Sequence, residues 1–229
     1  MKNKKVAVIT GASSGIGKAI AIALAKQQYL VVNADVNPSG TPNVDHHACD
    51  ITSAKDIHEL WVYVRHKYGV PDVLISNAGQ GIHEKLAEGD PEKWKRVMDI
   101  NVVGALRFVR AFLPEMIGNK TGDIVFVSSI AAEQPYEYGG VYSASKAALN
   151  MIADTLRLEA RELRVSVLSP GVVDTAFFEH MISSNHNVDD IGLGCVSADK
   201  VAETVCNILS LSPEVSISKL VITPKDQRV

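Results

Sequence analysis

The chain has 229 residues, 46% hydrophobic and 21% charged, which fits one domain of the α/β kind with a sizeable core. Its 23 basic and 26 acidic residues leave a net charge of −3, which removes any electrostatic case for nucleic acid or an acidic membrane surface. Cys49, Cys195 and Cys206 are odd in number and form no C-x-x-C, so a reduced, cytoplasmic setting is expected; the apolar runs in "MKNKKVAVITG" and "AIAIALA" are too short for a signal peptide core or a membrane span.

In chain order, "KVAVIT", "YLVVNA", a run near "HHACD", "DVLIS", "DIVFVS", "RVSVLS" and "KLVIT" read as strands. They show continuous apolarity rather than alternation, which predicts a sheet covered on both faces. Helical patterns fall at Gly17–Gln27, Ser53–Tyr68, Pro91–Met116, Tyr142–Glu162 and Ala198–Leu211. Asp90-Pro91 is a helix start, an N-cap acceptor followed by proline. The alternation predicts right-handed βαβ units and a doubly wound parallel sheet of about seven strands, as a single domain over 1–229. After Asp35 the sequence "VNPSGTPNVD" is too short and too rich in Pro, Gly and Asn for a crossover helix, so a loop is expected there. Residues 172–197 read as a loop or lid at the substrate, around a short "TAFFEHMI" helix.

"TGASSGIG", Thr10 to Gly17, follows a strand and opens a helix. Gly11 permits the tight turn; Gly15 and Gly17 let the backbone approach a pyrophosphate and let the helix pack on the sheet, with free N–H groups at the helix start to receive the anion. Alone, a glycine triplet equally marks a plain strand–turn–helix junction. Asp35 closes the second strand, eighteen residues after Gly17, where a carboxylate accepts from a ribose diol and repels a 2′-phosphate. No Arg or Lys stands at Ser14 or Val36, so NAD is favoured over NADP. Asp50 either accepts from an adenine amino group or begins the next helix. Asn77-Ala78-Gly79 ends the fourth strand, where a turn and a cofactor wall are compatible readings.

Ser129 ends the fifth strand; Tyr142 lies thirteen residues on and Lys146 one helical turn beyond. Residues at i and i+4 share a helix face, so phenol and ammonium can converge. A nearby cation is expected to lower the phenol pKa and make Tyr142 a usable acid/base. The bland reading of a lone Y-x-x-x-K is a surface pair. Asn101 falls on the apolar stripe of its helix, with Val97, Val102, Ala105 and Phe108. It is either a satisfied core asparagine or a helix distortion that holds a water in a proton path toward Lys146.

Taken together, "TGASSGIG", Asp35, "NAG", Asn101, Ser129, "YSASK" and "SPGVVDT" resemble the short-chain dehydrogenase/reductase family, in order and with its spacings. The resemblance implies a Rossmann-like fold and an NAD(P)-dependent oxidoreductase acting on a secondary alcohol or ketone. It implies Tyr142 as acid/base, Lys146 as the ribose-binding residue, Ser129 as the substrate-orienting one and Asn101 as the fourth member. Cofactor contacts would come from Gly11, Ser13, Ser14, Gly15, Ile16, Gly17, Asp35, Asp50, Ile51, Asn77, Ala78, Gly79, Tyr142, Lys146, Pro170, Gly171, Val173 and Thr175. It also implies a homodimer or homotetramer through the two long helices. The ending "SISKLVITPKDQRV" looks like relatives that finish on an "LVI-x-P" strand, several of which prefer NADP, so NADP is the alternative cofactor. A catalytically silent dinucleotide-binding sensor or scaffold is the alternative function, against which the four site residues argue. The histidines have no metal-ligand spacing, so no metal is expected.

Overall fold

The structure, a computed structural model, describes residues 4–183 and 194–227. Masses of β-branched residues at the expected places form strands β1 (Val6–Thr10), β2 (Leu30–Asp35), β3 (Val44–Ala48), β4 (Val73–Ser76), β5 (Asp123–Val127) and β6 (Arg164–Pro170). A two-strand ladder of β7 (Val173–Asp174) and β8 (Val196–Ser197) precedes the last strand, β9 (Lys219–Ile222). The main sheet is parallel throughout, in the order β3-β2-β1-β4-β5-β6-β9. Helices α1 (Gly15–Lys26), α2 (Ala54–Tyr68), α3 (Pro91–Met98), α4 (Ala105–Asn119), α5 (Gly140–Glu159) and α6 (Ala198–Ser210) cover it. This is the Rossmann-like, doubly wound single domain expected from the sequence.

Successive strand residues feed opposite layers, as a pleated strand requires. Val8, Val32, Leu74, Ile124 and Phe126 pack with Leu60, Phe108, Phe112 and Leu149 of α2, α4 and α5. Ala7, Ile9, Val31, Ile75 and Val125 pack with Ile20, Leu24, Val201 and Val205 of α1 and α6. Both faces are therefore dry, which explains the missing alternation in the sequence. Side-chain caps start the helices where the sequence offers acceptors. Ser53 accepts from the Asp56 N–H at 3.2 Å, and Asp90 from the Glu92 N–H at 2.9 Å with Pro91 in the first turn.

The β2–β3 connection carries no helix, as expected. Two other expectations need correction. The helix expected over Pro91–Met116 is interrupted by a wide π-type segment, Asp99–Gly104, and resumes as α4 to Asn119. "TAFFEHMI" is not a helix but a set of turns, in which His180 N–H reaches Ala176 O at 3.2 Å and Met181 N–H reaches Phe178 O at 3.4 Å. So short a run cannot offset helix nucleation. Its backbone pairs elsewhere instead: Ile182 N–H donates to Gly81 O at 3.0 Å. Of the expected lid, residues 184–193 lie outside the described residues.

Candidate active site

The sheet order reverses between β1 and β4, and there the carboxyl ends of the strands open a cleft of about 1430 Å³. Thr10, the last residue of β1, sets the floor. Its hydroxyl accepts the N–H groups of Asn77 and Ala78 at 3.0 and 3.1 Å. The Asn77 amide returns two bonds, to Thr10 O and Gly11 O, both at 3.0 Å. Gly17 is enclosed by this network: a Cβ there would lie 2.2 Å from Gly11 O and 2.4 Å from Asn77 Nδ2. The third glycine of the motif thus permits helix–strand packing, while Gly15, at φ +51°, takes the left-handed turn. Ser14 is the N-cap of α1 but makes no side-chain cap bond. The first-turn N–H groups of α1 are left for an anion.

Gly11, Ser14, Gly15, Ile16, Asp35, Asp50, Ile51, Asn77, Ala78 and Gly79 all line the cleft. Ser13 and Gly17 do not. Ser13 is turned into the scaffold, where its N–H donates to Asp35 Oδ2 at 3.1 Å and its hydroxyl accepts from Asn33 Nδ2 at 2.9 Å. Asp35 also accepts the Asn37 N–H at 2.9 Å, so the strand-end carboxylate is held in place at the cleft rim. Asp50 lines the cleft and also caps its own turn, accepting the N–H and hydroxyl of Thr52 at 2.8 and 2.7 Å; both readings of Asp50 are compatible with this placement.

At the other end stand Ser129, Tyr142, Lys146, Pro170, Gly171 and Val173, while Thr175 reaches back to the start of α1, where a Cβ on Gly15 would lie 3.5 Å from Thr175 Cγ2. The surface-pair reading of Tyr142 and Lys146 fails on burial: they are 9% and 4% exposed. The ammonium donates to Val127 O at 3.0 Å and lies 5.8 Å from the Tyr142 ring centroid. Burial lowers the Lys146 pKa to about 8. Burial also raises the Tyr142 pKa, against a smaller opposite pull from the Ser129 hydroxyl. This corrects the expectation that the lysine lowers it: desolvation dominates, and the ammonium is engaged by a backbone carbonyl. Phe177 covers Tyr142 at a ring separation of 5.8 Å. It seats over Gly81, where a Cβ would lie 2.9 Å from Phe177 Cζ and from Met181 Cγ.

Asn101 does not line the cleft. It is buried inside the π-type segment and joins three parts of the site. Its Oδ1 accepts Gln80 N–H at 2.7 Å, and its Nδ2 donates to Gln80 O at 3.0 Å and Ser145 Oγ at 2.9 Å. A Cβ on Gly79 would meet both Asn101 Oδ1 and Lys146 Nζ, at 3.3 and 3.4 Å, so these groups flank one glycine.

Several supports of the site carry little signal in the sequence. Asn33, wholly buried in β2, accepts the Ala12 N–H at 3.1 Å; a polar residue inside "LVVNA" was its signal. Ser145 within "YSASK" donates to Tyr142 O at 2.7 Å, and Ser128 donates to Lys146 O at 3.2 Å. Nothing in the sequence pointed to Asp226 and Gln227, which also line the cleft.

The chemistry fits a dinucleotide: an uncapped helix start for a diphosphate, a fixed carboxylate beside it, and a buried phenol and ammonium at the far end. The sequence profile of the short chain dehydrogenases matches residues 5–185. The chain belongs to this family. This short-chain dehydrogenase is 36% identical over 185 residues to an uncharacterized oxidoreductase of Staphylococcus saprophyticus, covering 75% of this chain and 79% of that one. It is 30% identical over 231 residues to an uncharacterized oxidoreductase of Staphylococcus aureus strain MW2, covering 96% and 97%. Among solved structures it is similar to an alcohol dehydrogenase from the archaeon Thermococcus sibiricus complexed with 5-hydroxy-NADP. There the identity is 30%, the TM-score 0.87, and 99% of each chain is covered. The protein is an oxidoreductase of the short-chain dehydrogenase family with a dinucleotide-binding fold. Among the described residues no helix is long and apolar enough to cross a membrane.

Proposed function

We propose that this protein interconverts a secondary alcohol and a ketone, with NAD as its preferred cofactor, in the cytoplasm. The observation that carries this reading is the buried Tyr142 beside Ser129 and Lys146, in the same cleft as the uncapped start of α1. The bound cofactor supplies or accepts the hydride. Ser129 Oγ holds the substrate oxygen, and Tyr142 Oη gives a proton to that oxygen in reduction or takes it in oxidation. The raised phenol pKa keeps Tyr142 protonated at neutral pH, the form that serves reduction. Lys146 would hold the nicotinamide ribose; Val173 and Thr175 would hold the nicotinamide carboxamide and a phosphate. Asn101 holds the Gln80 and Ser145 partners in register around them.

Asp35 supports NAD, because its charge opposes a 2′-phosphate. The 5-hydroxy-NADP of the Thermococcus neighbour supports NADP as the alternative. Phe177, Phe178, Met181 and Tyr136 in the cleft wall support a small to medium substrate without strong charge. A homodimer or homotetramer is supported by exposed apolar residues on α5, Met151 and Leu158.

The test is a fluorescence titration with NADH and NADPH, followed by turnover of a panel of secondary alcohols. Wild type is expected to bind NADH more tightly, and Asp35→Ala to lose that preference. Tyr142→Phe is expected to lose at least about 1,000-fold in turnover while keeping NADH affinity within about twofold. Tighter NADPH binding would reverse the cofactor preference. Binding without turnover of any alcohol or ketone would favour a sensor or scaffold, and undiminished activity of Tyr142→Phe would remove the mechanism.

A further inference from the structure

The C-terminal tail closes one wall of the cleft. β9 ends at Ile222, whose carbonyl accepts the Gly171 N–H at 2.8 Å. The chain then turns, with Gln227 N–H donating to Pro224 O at 3.1 Å, and comes back against Pro170–Val172. There the Gln227 side-chain carbonyl accepts the Val172 N–H at 3.0 Å. Gly171 makes the approach possible. A Cβ at that position would lie 2.1 Å from Gln227 Oε1 and 3.1 Å from Thr223 Cγ2. The Val172 carbonyl is engaged on the other side, by Val196 N–H at 2.9 Å. Both polar backbone groups of Val172, a residue only 7% exposed, are thus tied, one by β8 and one by the tail.

We propose that Gln227 is a positioning residue for the dinucleotide, its side-chain carbonyl fixing the turn that presents Val173 and Thr175 to the nicotinamide half. This rests on the cofactor reading above. Val173 begins a strand of two residues, too short to hold its own position. Its placement depends on the turn before it, and that turn is pinned by the Gln227 bond. Without the acceptor, the Val172 N–H is left in a nearly dry place and the turn relaxes to find another partner. The effect is confined to one end of the cleft. The far end of the cleft is set by Asn33 and Asp35, which the tail does not touch among the described contacts.

The experiment compares wild type, Gln227→Ala and Gln227→Glu in the full chain. NADH binding is read by fluorescence, AMP binding by calorimetry and folding by thermal melting. Gln227→Ala is expected to weaken NADH about tenfold, to leave AMP within about twofold, and to leave the melting temperature within about 2 °C. In steady state the KM for cofactor should rise while kcat at saturation holds. Gln227→Glu keeps an acceptor for the Val172 N–H but adds a negative charge to the cleft wall, so it is expected to restore NADH affinity, relative to Gln227→Ala, at high ionic strength, where that charge is screened. Unchanged NADH affinity in Gln227→Ala, equal losses of NADH and AMP, or a Glu variant as weak as the Ala variant at high ionic strength would each overturn the proposal. Wild type that binds neither NADH nor NADPH would instead reject the cofactor reading on which it rests.

Discussion

Lys146 is a cation that the fold buries without an anion: among the described residues no carboxylate pairs with it, and its one hydrogen bond goes to Val127 O. Its pKa is lowered to about 8 by burial, so the folded protein holds the proton less tightly than the unfolded chain does. Between pH 8 and the ordinary lysine value of 10.5, the unfolded chain binds the proton more fully than the folded one. Stability therefore rises with pH across that window, and below pH 8 the cost of the buried charge is present in full. Lys146→Met removes the charge at nearly constant volume. It is expected to raise the melting temperature at pH 7 by about 5 °C and to flatten the pH dependence between 8 and 10.5, while weakening NADH binding. Calorimetric scans at pH 7, 8.5 and 10 check this; a variant that melts lower at pH 7 would show that the Val127 bond outweighs the desolvation. The sequence placed Lys146 one turn after Tyr142, but its burial depends on β5 and on the approach of Gly79, which local spacing does not encode.

At the scale of the element, the π-type segment Asp99–Gly104 is the informative departure from regularity. An amide on an apolar stripe was legible in the sequence as an anomaly, and the structure shows why the helix widens there. Asn101 reaches both polar groups of the Gln80 backbone and the Ser145 hydroxyl, so three separate pieces of chain meet on one side chain. A widened turn is a frequent means of aiming a side chain at a functional site. Asn101→Ala leaves the buried partners without theirs, at a cost of about 3 kcal/mol, which corresponds to a fall of about 8 °C in melting temperature. Thermal melting of the variant checks this, and an unchanged midpoint would mean that water replaces the amide at no cost. The "TAFFEHMI" run shows the opposite relation of sequence to element. Its composition suits a helix, but Gly81 offers a seat for Phe177 and Met181, and Gly81 O offers a partner for Ile182 N–H. That docking is a long-range event with no local periodic signal.

For the molecule as a whole, strand identity and the glycine turn were legible because burial on both faces and phosphate-loop geometry constrain residue type strongly. The cleft wall made by Asp226 and Gln227 was not, because it depends on where the chain goes after the last strand. Quaternary structure belongs to this scale as well. α5 carries Tyr142 and Lys146 in its first half, buried, and Met151 and Leu158 in its second, 65% and 70% exposed. The latter two are seven residues apart and so share a helix face. A helix that is dry at one end and exposes large apolar groups at the other calls for a second surface, and a symmetric pairing of α5 with its copy would supply it. We therefore expect wild type to sediment above the 24.7 kDa of one chain, and Met151→Glu/Leu158→Glu to sediment as a monomer. Because the half of α5 that carries Tyr142 and Lys146 is anchored by Asn101, Ser128 and Val127 within its own chain, the monomeric variant should still bind NADH. Sedimentation velocity with and without NADH separates the cases. A wild-type monomer would leave the exposed pair without a structural role, and loss of NADH binding on dissociation would mean that the partner helps hold α5.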